Sequence, residues 1–288
     1  MLQLKTINFD EDMPQIIELT KGHLDDNFNE SFFLWKHLQN PFGVSFAMGA
    51  WDSDQLVGLR LFMRWEFVGS DNAVIKAIRP VDTVTHNDYR GQGVFKSLTL
   101  KGLELNQNNN DLVFNTPNQN SLPGYLKMGW QKIALPHTFI YALVNPFSRK
   151  LNAVFFSKNS EHLPEAKTKI GQTFLSKDYL KWRYQDNSFR YIYSDDAFVI
   201  YKTGSLKGLK TALVYEISGE NDKVASLFSS IACKEKLILF YGYFGSRTHD
   251  LNFKMIFKRN TPVVVWRDDK KAIHSSLQFS LGDLEGKL

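Results

Sequence analysis

The sequence predicts an α/β chain built from two similar halves. Runs of strand length and apolar character alternate with runs of helical period along the chain. The order of those runs in the first half returns in the second. One junction stands out besides: "DYRGQGVFKSLTLKG", from Asp88 to Gly102, places Gly91 and Gly93 directly before a helix.

The first half reads in order. "DMPQIIELTKGHL" is a helix start, with Asp12 as N-cap, Pro14 in the first turn and Ile16, Ile17 and Leu19 on the apolar side. "ESFFLWKHLQNPFG" is a second helix that stops before Asn40-Pro41, because a residue preceding proline avoids helical geometry. "SFAMGAWDSDQLVGLRLFMRWEFVG" gives two strands about a turn at "DSDQ", and "AVIKAIRPVDTVTH" gives a third. After the glycine turn, Val94, Phe95, Leu98 and Leu105 fall on one side of a helix that "NQNNND" closes. "DLVFNT" is a buried strand, "NQNSLPGYLKMGW" a short helix and "HTFIYALV" a further strand.

The second half echoes this order. "YLKWRYQDNSF" matches "FFLWKHLQNPF" and sets Trp182 opposite Trp35, both expected in a core. "DAFVIYKTGSLKGLKTALVYEIS" gives two strands, "NDKVASLFSSIACKE" a helix, "KLILFYGYF" a strand, "SRTHDLNFKMIFK" a short helix and "TPVVVWR" a strand. "SGENDKV" stands where the first half has "YRGQGVF", so the glycine turn belongs to the first half alone.

Composition narrows the function. Of 288 residues, 43% are hydrophobic and 23% charged, which supports a real core and excludes a disordered chain. The net charge of +5 is scattered, with no Lys/Arg block of the kind that marks a nucleic-acid arm. An excess of this size fits a small anionic ligand, a nucleic acid or no specific partner. The single cysteine, Cys233, excludes an internal disulfide and a Cys-rich metal site, and no histidine pair has metal-ligand spacing. The N-terminal "MLQLKTINFDEDMPQ" is acidic, unlike a signal peptide, and no apolar run approaches the roughly 20 residues of a membrane span. The expectation is a cytoplasmic protein with no metal and with neither nucleic acid nor membrane as partner.

A strand, a glycine turn and a helix start together form an anion site. The first amides of a helix lack partners and carry the positive end of its dipole. Gly91 and Gly93 let a phosphate approach them, and Arg90 adds a charged contact. The ligand implied is a diphosphate. A P-loop would need G-x-x-x-x-G-K-[ST], which is absent. A Rossmann loop would need a third small residue where Lys96 stands, and an acid where the next strand ends at Asn115.

"THNDYRGQGVFKSL" resembles the signature of the GNAT acetyltransferase superfamily, Arg/Gln-x-x-Gly-x-Gly/Ala, which binds the pyrophosphate of acetyl-CoA. Arg90 and Gly93 match its first two fixed positions. Phe95 replaces the last small residue, a departure that narrows the helix start. "NQNSLPGYLKMGW" resembles the motif that follows the next strand in that superfamily, through Asn118, Ser121, Tyr125, Lys127, Gly129 and Trp130. The resemblance implies a mixed, mostly antiparallel sheet flanked by helices over residues 1–148, and a smaller, degenerate GNAT-like domain over 149–288. It implies an N-acetyltransferase that moves an acetyl or related acyl group from acetyl-CoA, a co-substrate, to a small amine: an amino sugar, an amino acid or a polyamine. The alternative is a non-catalytic CoA-binding module that keeps the fold, and a homodimer is left open.

The same resemblance assigns cofactor contacts to Val84, Thr85, Arg90, Gly91, Gln92, Gly93, Val94, Phe95, Asn118 and Ser121, with Asn115 a further amide. It makes Tyr125 the general acid toward the CoA sulfur, a role that suits a neutral phenol donor. The base is less determined. Asp82 lies two residues before Val84, so strand alternation puts both on one face and makes it the first choice. Glu66 on the preceding strand and His86 on the loop rim are the other two.

Overall fold

The computed structural model describes residues 2–133, 140–144, 154–206, 208–244, 254–258 and 263–284. The chain divides into two units. The first comprises Met1–Phe67, Ala73–Ile133 and Val263–His274; the second comprises Val68–Asn72, Ala134–Pro262 and Ser275–Leu288.

In the first unit, β1 (Gln3–Thr6) precedes α1 (Phe9–His23) and the short α2 (Glu30–Phe33), whose last turn widens into a π-helical segment at Leu34–Leu38. The strands β2 (Phe46–Asp52), β3 (Gln55–Val68) and β4 (Val74–Thr85) come next, then α3 (Val94–Asn106), β5 (Leu112–Asn115), α4 (Leu122–Lys127) and β6 (Gln131–Lys132). The strand β1 is not expected from the sequence. The first helix begins one turn earlier than its sequence suggests. Asn8 is the N-cap and accepts from the Asp10 amide, while Asp12 sits inside the helix and accepts from the Asn8 amide at 2.8 Å. Both residues are good caps, and only the reciprocal bond shows which is outside.

One face of the sheet packs on α1, α2 and the turn between them through Ile16, Leu19, Phe28 and Phe33 against Leu59, Leu61 and Val84. The other packs on α3 and α4 through Val94, Leu98 and Tyr125 against Val57, Phe62, Ile78 and Val113. The buried stripe of α3 runs through Val94, Leu98, Gly102 and Leu103, whereas Leu105, expected on it, is 48% exposed.

The second unit contains β7 (Ile140–Leu143), β8 (Phe155–Ser157), α5 (Lys177–Arg183), β9 (Arg190–Tyr193), β10 (Phe198–Leu206), β11 (Leu209–Ser218), α6 (Asn221–Glu235), β12 (Leu239–Gly242), β13 (Lys254–Lys258) and α7 (Leu281–Leu284). Residues 254–258, read as part of a short helix, are a strand; the rest of that segment lies outside the described residues. Trp182 is buried, as expected, while Trp35 of the first unit is only half-buried.

The sheet orders are β1-β2-β3-β4-β5-β14-β6 and β13-β7-β12-β11-β10-β9-β8, where β14 is Val265–Arg267. Each contains one parallel pair joined by a helix: β4 and β5 through α3, β11 and β12 through α6. Such a crossover needs a helix-sized connection, which explains the shared rhythm of the two halves. Beside each parallel pair lies an antiparallel strand from the other half of the sequence. β14 pairs with β5 (Val265 opposite Asn115), and β7 pairs with β12 (Tyr141 opposite Tyr241). The division at 148 is corrected accordingly, because the strands β7 and β14 are exchanged. Strand patterning reports burial and not partner, so the exchange leaves no mark in the sequence.

The second unit also buries the carboxyls of Glu216, Glu235 and Asp283. Tyr184 and Ser280 donate to Glu216 Oε1, and Thr173 donates to Asp283 Oδ1. Burial, with the charge of Asp283 nearby, pushes the Glu216 carboxyl well above its ordinary value.

A chain cut after residue 148 lacks β14 and leaves β5 as an open edge. Such a fragment is expected to show no cooperative melting by circular dichroism; a melt like that of the full chain contradicts the exchange. The raised Glu216 means that the folded state keeps a proton the unfolded chain releases. That stability is complete below about pH 4 and is lost as pH rises through the folded value. Glu216→Gln is expected to flatten the alkaline decline of Tm, and an unchanged decline counts against it.

Candidate active site

The glycine turn has the form the sequence suggests. A short 3-10 turn at Asn87–Tyr89 leads to Gly91 and Gly93, at φ of 80° and 79°. Gly93 is the N-cap of α3 and offers no side chain to cap it. A Cβ at either glycine would meet nothing within 4 Å, so the front of these amides is open. The corresponding Gly219 before α6 would place a Cβ 2.4 Å from that of Ala197, a closed corner. The side chains around the turn mostly brace it. Gln92 donates to the Asp88 carbonyl at 3.1 Å, and Arg90 reaches the carbonyls of Thr85 and His23, each at 3.4 Å. Val94 is buried under the turn. Phe95 does not obstruct the helix start: its ring turns onto α4 against Gly124 and meets Tyr125 edge-on at 5.6 Å.

The second element is a gap in the sheet. The ladder between β4 and β5 comprises Ala77↔Leu112 and Ile78↔Val113 and goes no further, although β4 continues to Thr85 and β5 to Asn115. Parallel strands that part in this way leave the β5-facing edge of β4 beyond Ile78 without a strand partner, where an extended ligand could lie. At the parted end of β5, Asn115 donates its Nδ2–H to the hydroxyl oxygen of Tyr125, and the Arg60 Nη2 donates to the same oxygen. No described residue accepts the hydrogen of that hydroxyl.

Local chemistry holds Tyr125 in place. Asn118 accepts from the amides of Asn120 and Ser121 and from the Ser121 hydroxyl, opening α4 as a cap. At the other end the Trp130 amide returns to the Tyr125 carbonyl and the Gly129 amide to Leu126, while the rings of Tyr125 and Trp130 meet at 4.9 Å. This is a Schellman cap with its hydrophobic contact. The motif residues Asn118, Ser121, Gly129 and Trp130 therefore build the helix that carries the phenol.

The three base candidates separate. Asp82 lies at φ 42° and breaks the alternation of β4, so that Val81 and Val84 both pack on the α1 face. The alternation used to pair Asp82 with Val84 does not hold across this bulge. The Asp82 carboxylate takes the Lys36 ammonium at 2.6 Å and His37 Nε2 at 2.9 Å, and His37 Nδ1 meets the Ser45 hydroxyl at 2.9 Å. Burial opposes ionisation of Asp82, but Lys36 and His37 outweigh it and hold the carboxyl well below its usual range. A carboxylate so stabilised is a weak base. Burial lowers His37 from its ordinary value, and the opposing pull of Asp82 does not restore it. Glu66 lies at the far end of the β3–β4 hairpin beside Lys76, six residues of strand or about 20 Å from Asp82. The His86 ring meets that of His23 at a 58° tilt, centres 4.3 Å apart, and accepts from the Asp88 amide, which makes it part of the turn.

Sequence reasoning misses Arg60, Lys36 and His37. Buried basic side chains at apolar positions are rare, and a residue-type pattern treats them as surface. The break in the apolar alternation of "LVGLRLFM" is the available signal.

Asp82→Asn removes the charge that Lys36, 4% exposed, pairs with at 2.6 Å, and is expected to cost about 3 kcal/mol by chemical denaturation. The lowered Asp82 contributes stability that is present above about pH 4 and lost as pH falls further. The variant is expected to lack that acid limb, and a limb that persists contradicts the ion pair.

Residues 4–133 match the acetyltransferase (GNAT) domain family. Comparison with curated proteins returns no match. Among solved structures, a GCN5-related N-acetyltransferase from Kribbella flavida aligns at 13% identity and TM-score 0.67, over 96% of this chain and 73% of its own. Eis1 from Mycobacterium abscessus aligns at 10% and 0.67, over 92% and 73%. A GCN5-related N-acetyltransferase from Anabaena variabilis ATCC 29413 aligns at 10% and 0.66, over 93% and 73%. Identities this low speak for the fold alone, which is mixed α/β with two mostly antiparallel sheets in this chain as expected. The sequence match is thus to a GNAT acetyltransferase domain, and it spans residues 4–133.

Proposed function

We propose that the first unit moves an acetyl or related acyl group from acyl-CoA to the amine of a small acceptor by direct attack. The observation that carries this reading is the open, uncapped start of α3 beside parted strands, with a phenol fixed at the end of β5. The pyrophosphate suits the amides of Gly91 to Phe95, and the pantetheine suits the parted stretch of β4 at Val84 and Thr85. The neutral amine attacks the thioester carbon, and the Tyr125 proton goes to the departing sulfur. Asp82, ion-paired as it is, holds the bulge of β4, and the proton of the amine leaves through solvent. Acceptors of the proposed class are amino sugars, amino acids and polyamines, with a cytoplasmic setting. The ion pairing of Asp82 is also what favours the second reading, a CoA-binding module without turnover.

Calorimetry with acetyl-CoA, followed by turnover with glucosamine, lysine and spermidine, tests both readings. Gly93→Asp is expected to abolish binding, since it puts a carboxylate and a strained φ of 79° against the phosphates. Tyr125→Phe is expected to keep the affinity and to lower kcat about 100-fold or more. Binding without turnover of any amine selects the second reading, and the absence of binding rejects both.

A further inference from the structure

Arg60 lies in the middle of β3 and is 2% exposed. Its neighbours on the same face are apolar: Gly58 lies against Val94 and Leu98, and Phe62 belongs with them to the α3 cluster. The guanidinium carbon sits 5.1 Å from the ring centre of Phe95, 5.5 Å from Tyr125 and 6.0 Å from Phe62. No described carboxylate pairs with it, and its buried Nε has no acceptor. The only polar partner among the described residues is the hydroxyl oxygen of Tyr125. Ring faces offset part of the cost of burying a cation, but not all of it. For packing alone, a methionine would serve this position as well or better.

The Tyr125 oxygen has two donors, Arg60 Nη2 and Asn115 Nδ2. A phenol oxygen that accepts twice has one role left for its hydrogen, which is to donate. Asn115 is the last residue of β5, where that strand has already parted from β4.

We propose that Arg60 is a positioning residue for Tyr125. With Asn115 it holds the phenol as a donor toward the parted strands, and its charge offsets the negative charge the oxygen takes on when its proton leaves. This rests on the transfer reading above. The amine lone pair forms the C–N bond, the C–S bond breaks with its electron pair passing to sulfur, and the Tyr125 proton moves to that sulfur. The phenolate stays bonded to Arg60 and Asn115 and recovers a proton, through solvent, from the acylated nitrogen. The products are an amide and a free thiol.

The test compares Arg60→Met, Arg60→Lys, Tyr125→Phe and the Met/Phe double variant in the full chain, with acetyl-CoA and the amine panel named above. Arg60→Met is expected to melt no lower than the parent, to bind acetyl-CoA within about 2-fold, and to lose about 10- to 100-fold in kcat with KM unchanged. Arg60→Lys is expected to recover most of that loss. In the Tyr125→Phe background, Arg60→Met is expected to add less than about 3-fold, because the two residues act as one unit. An unchanged kcat, a loss confined to KM, additive losses or no recovery by lysine would each overturn the proposal. If the methionine variant does not fold, Arg60→Gln keeps a donor without the charge and is held to the same outcomes. A parent that binds acetyl-CoA but turns over no amine sinks the transfer reading and this one with it. A parent that turns over, with Tyr125→Phe impaired and Arg60→Met intact, sinks this one alone.

Discussion

The parting of β4 from β5 after Ile78 is the constraint on which the first unit depends. Two parallel strands in a sheet normally satisfy each other's backbone groups along their length. Here they stop after two residue pairs, and the candidate site is arranged around the gap. The bulge at Asp82 turns β4 aside on one face, secured by Lys36 and His37 from the π-helical segment. On the other face Arg60, Asn115 and Tyr125 close over the end of β5. The glycine turn sits where β4 ends, so the amides of α3 and the parted stretch of β4 adjoin, as the proposed binding track requires.

The second unit keeps the scaffold without this apparatus. It has a parallel pair, a connecting helix and an antiparallel neighbour in the same order. The turn before its helix is filled by Ala197, and buried carboxyls lie elsewhere in it, at Glu216, Asp283 and Glu235. The exchange of β7 and β14 gives each sheet a strand from the other half, so that neither half of the sequence encodes a complete sheet.

Much of this is legible in the residues. Gly91 and Gly93 need left-handed backbone, and a helix that starts with glycines and no capping side chain announces an anion site. The run from Asn118 to Trp130 fixes a short helix by its own caps, and so places Tyr125 from local chemistry alone. The hidden part depends on partners distant in sequence. Alternation locates Asp82 on a strand but cannot show the left-handed backbone there, nor that Lys36 and His37 occupy its carboxylate. Arg60 looks like surface because an arginine among apolar neighbours is most often half-exposed. Strand exchange is invisible for the same reason: patterning tells which face is buried, and pairing is settled by tertiary fit.

The central claim is that acyl-CoA lies along the start of α3 and the parted edge of β4. Amide hydrogen exchange with and without acetyl-CoA tests it most directly, residue by residue. The account predicts slowed exchange at Gly91 to Lys96 and at Val84 and Thr85, with Gly219 to Val224 of the second unit unchanged. Protection that spares Gly91 to Lys96, or that appears at the second unit's turn instead, would contradict it.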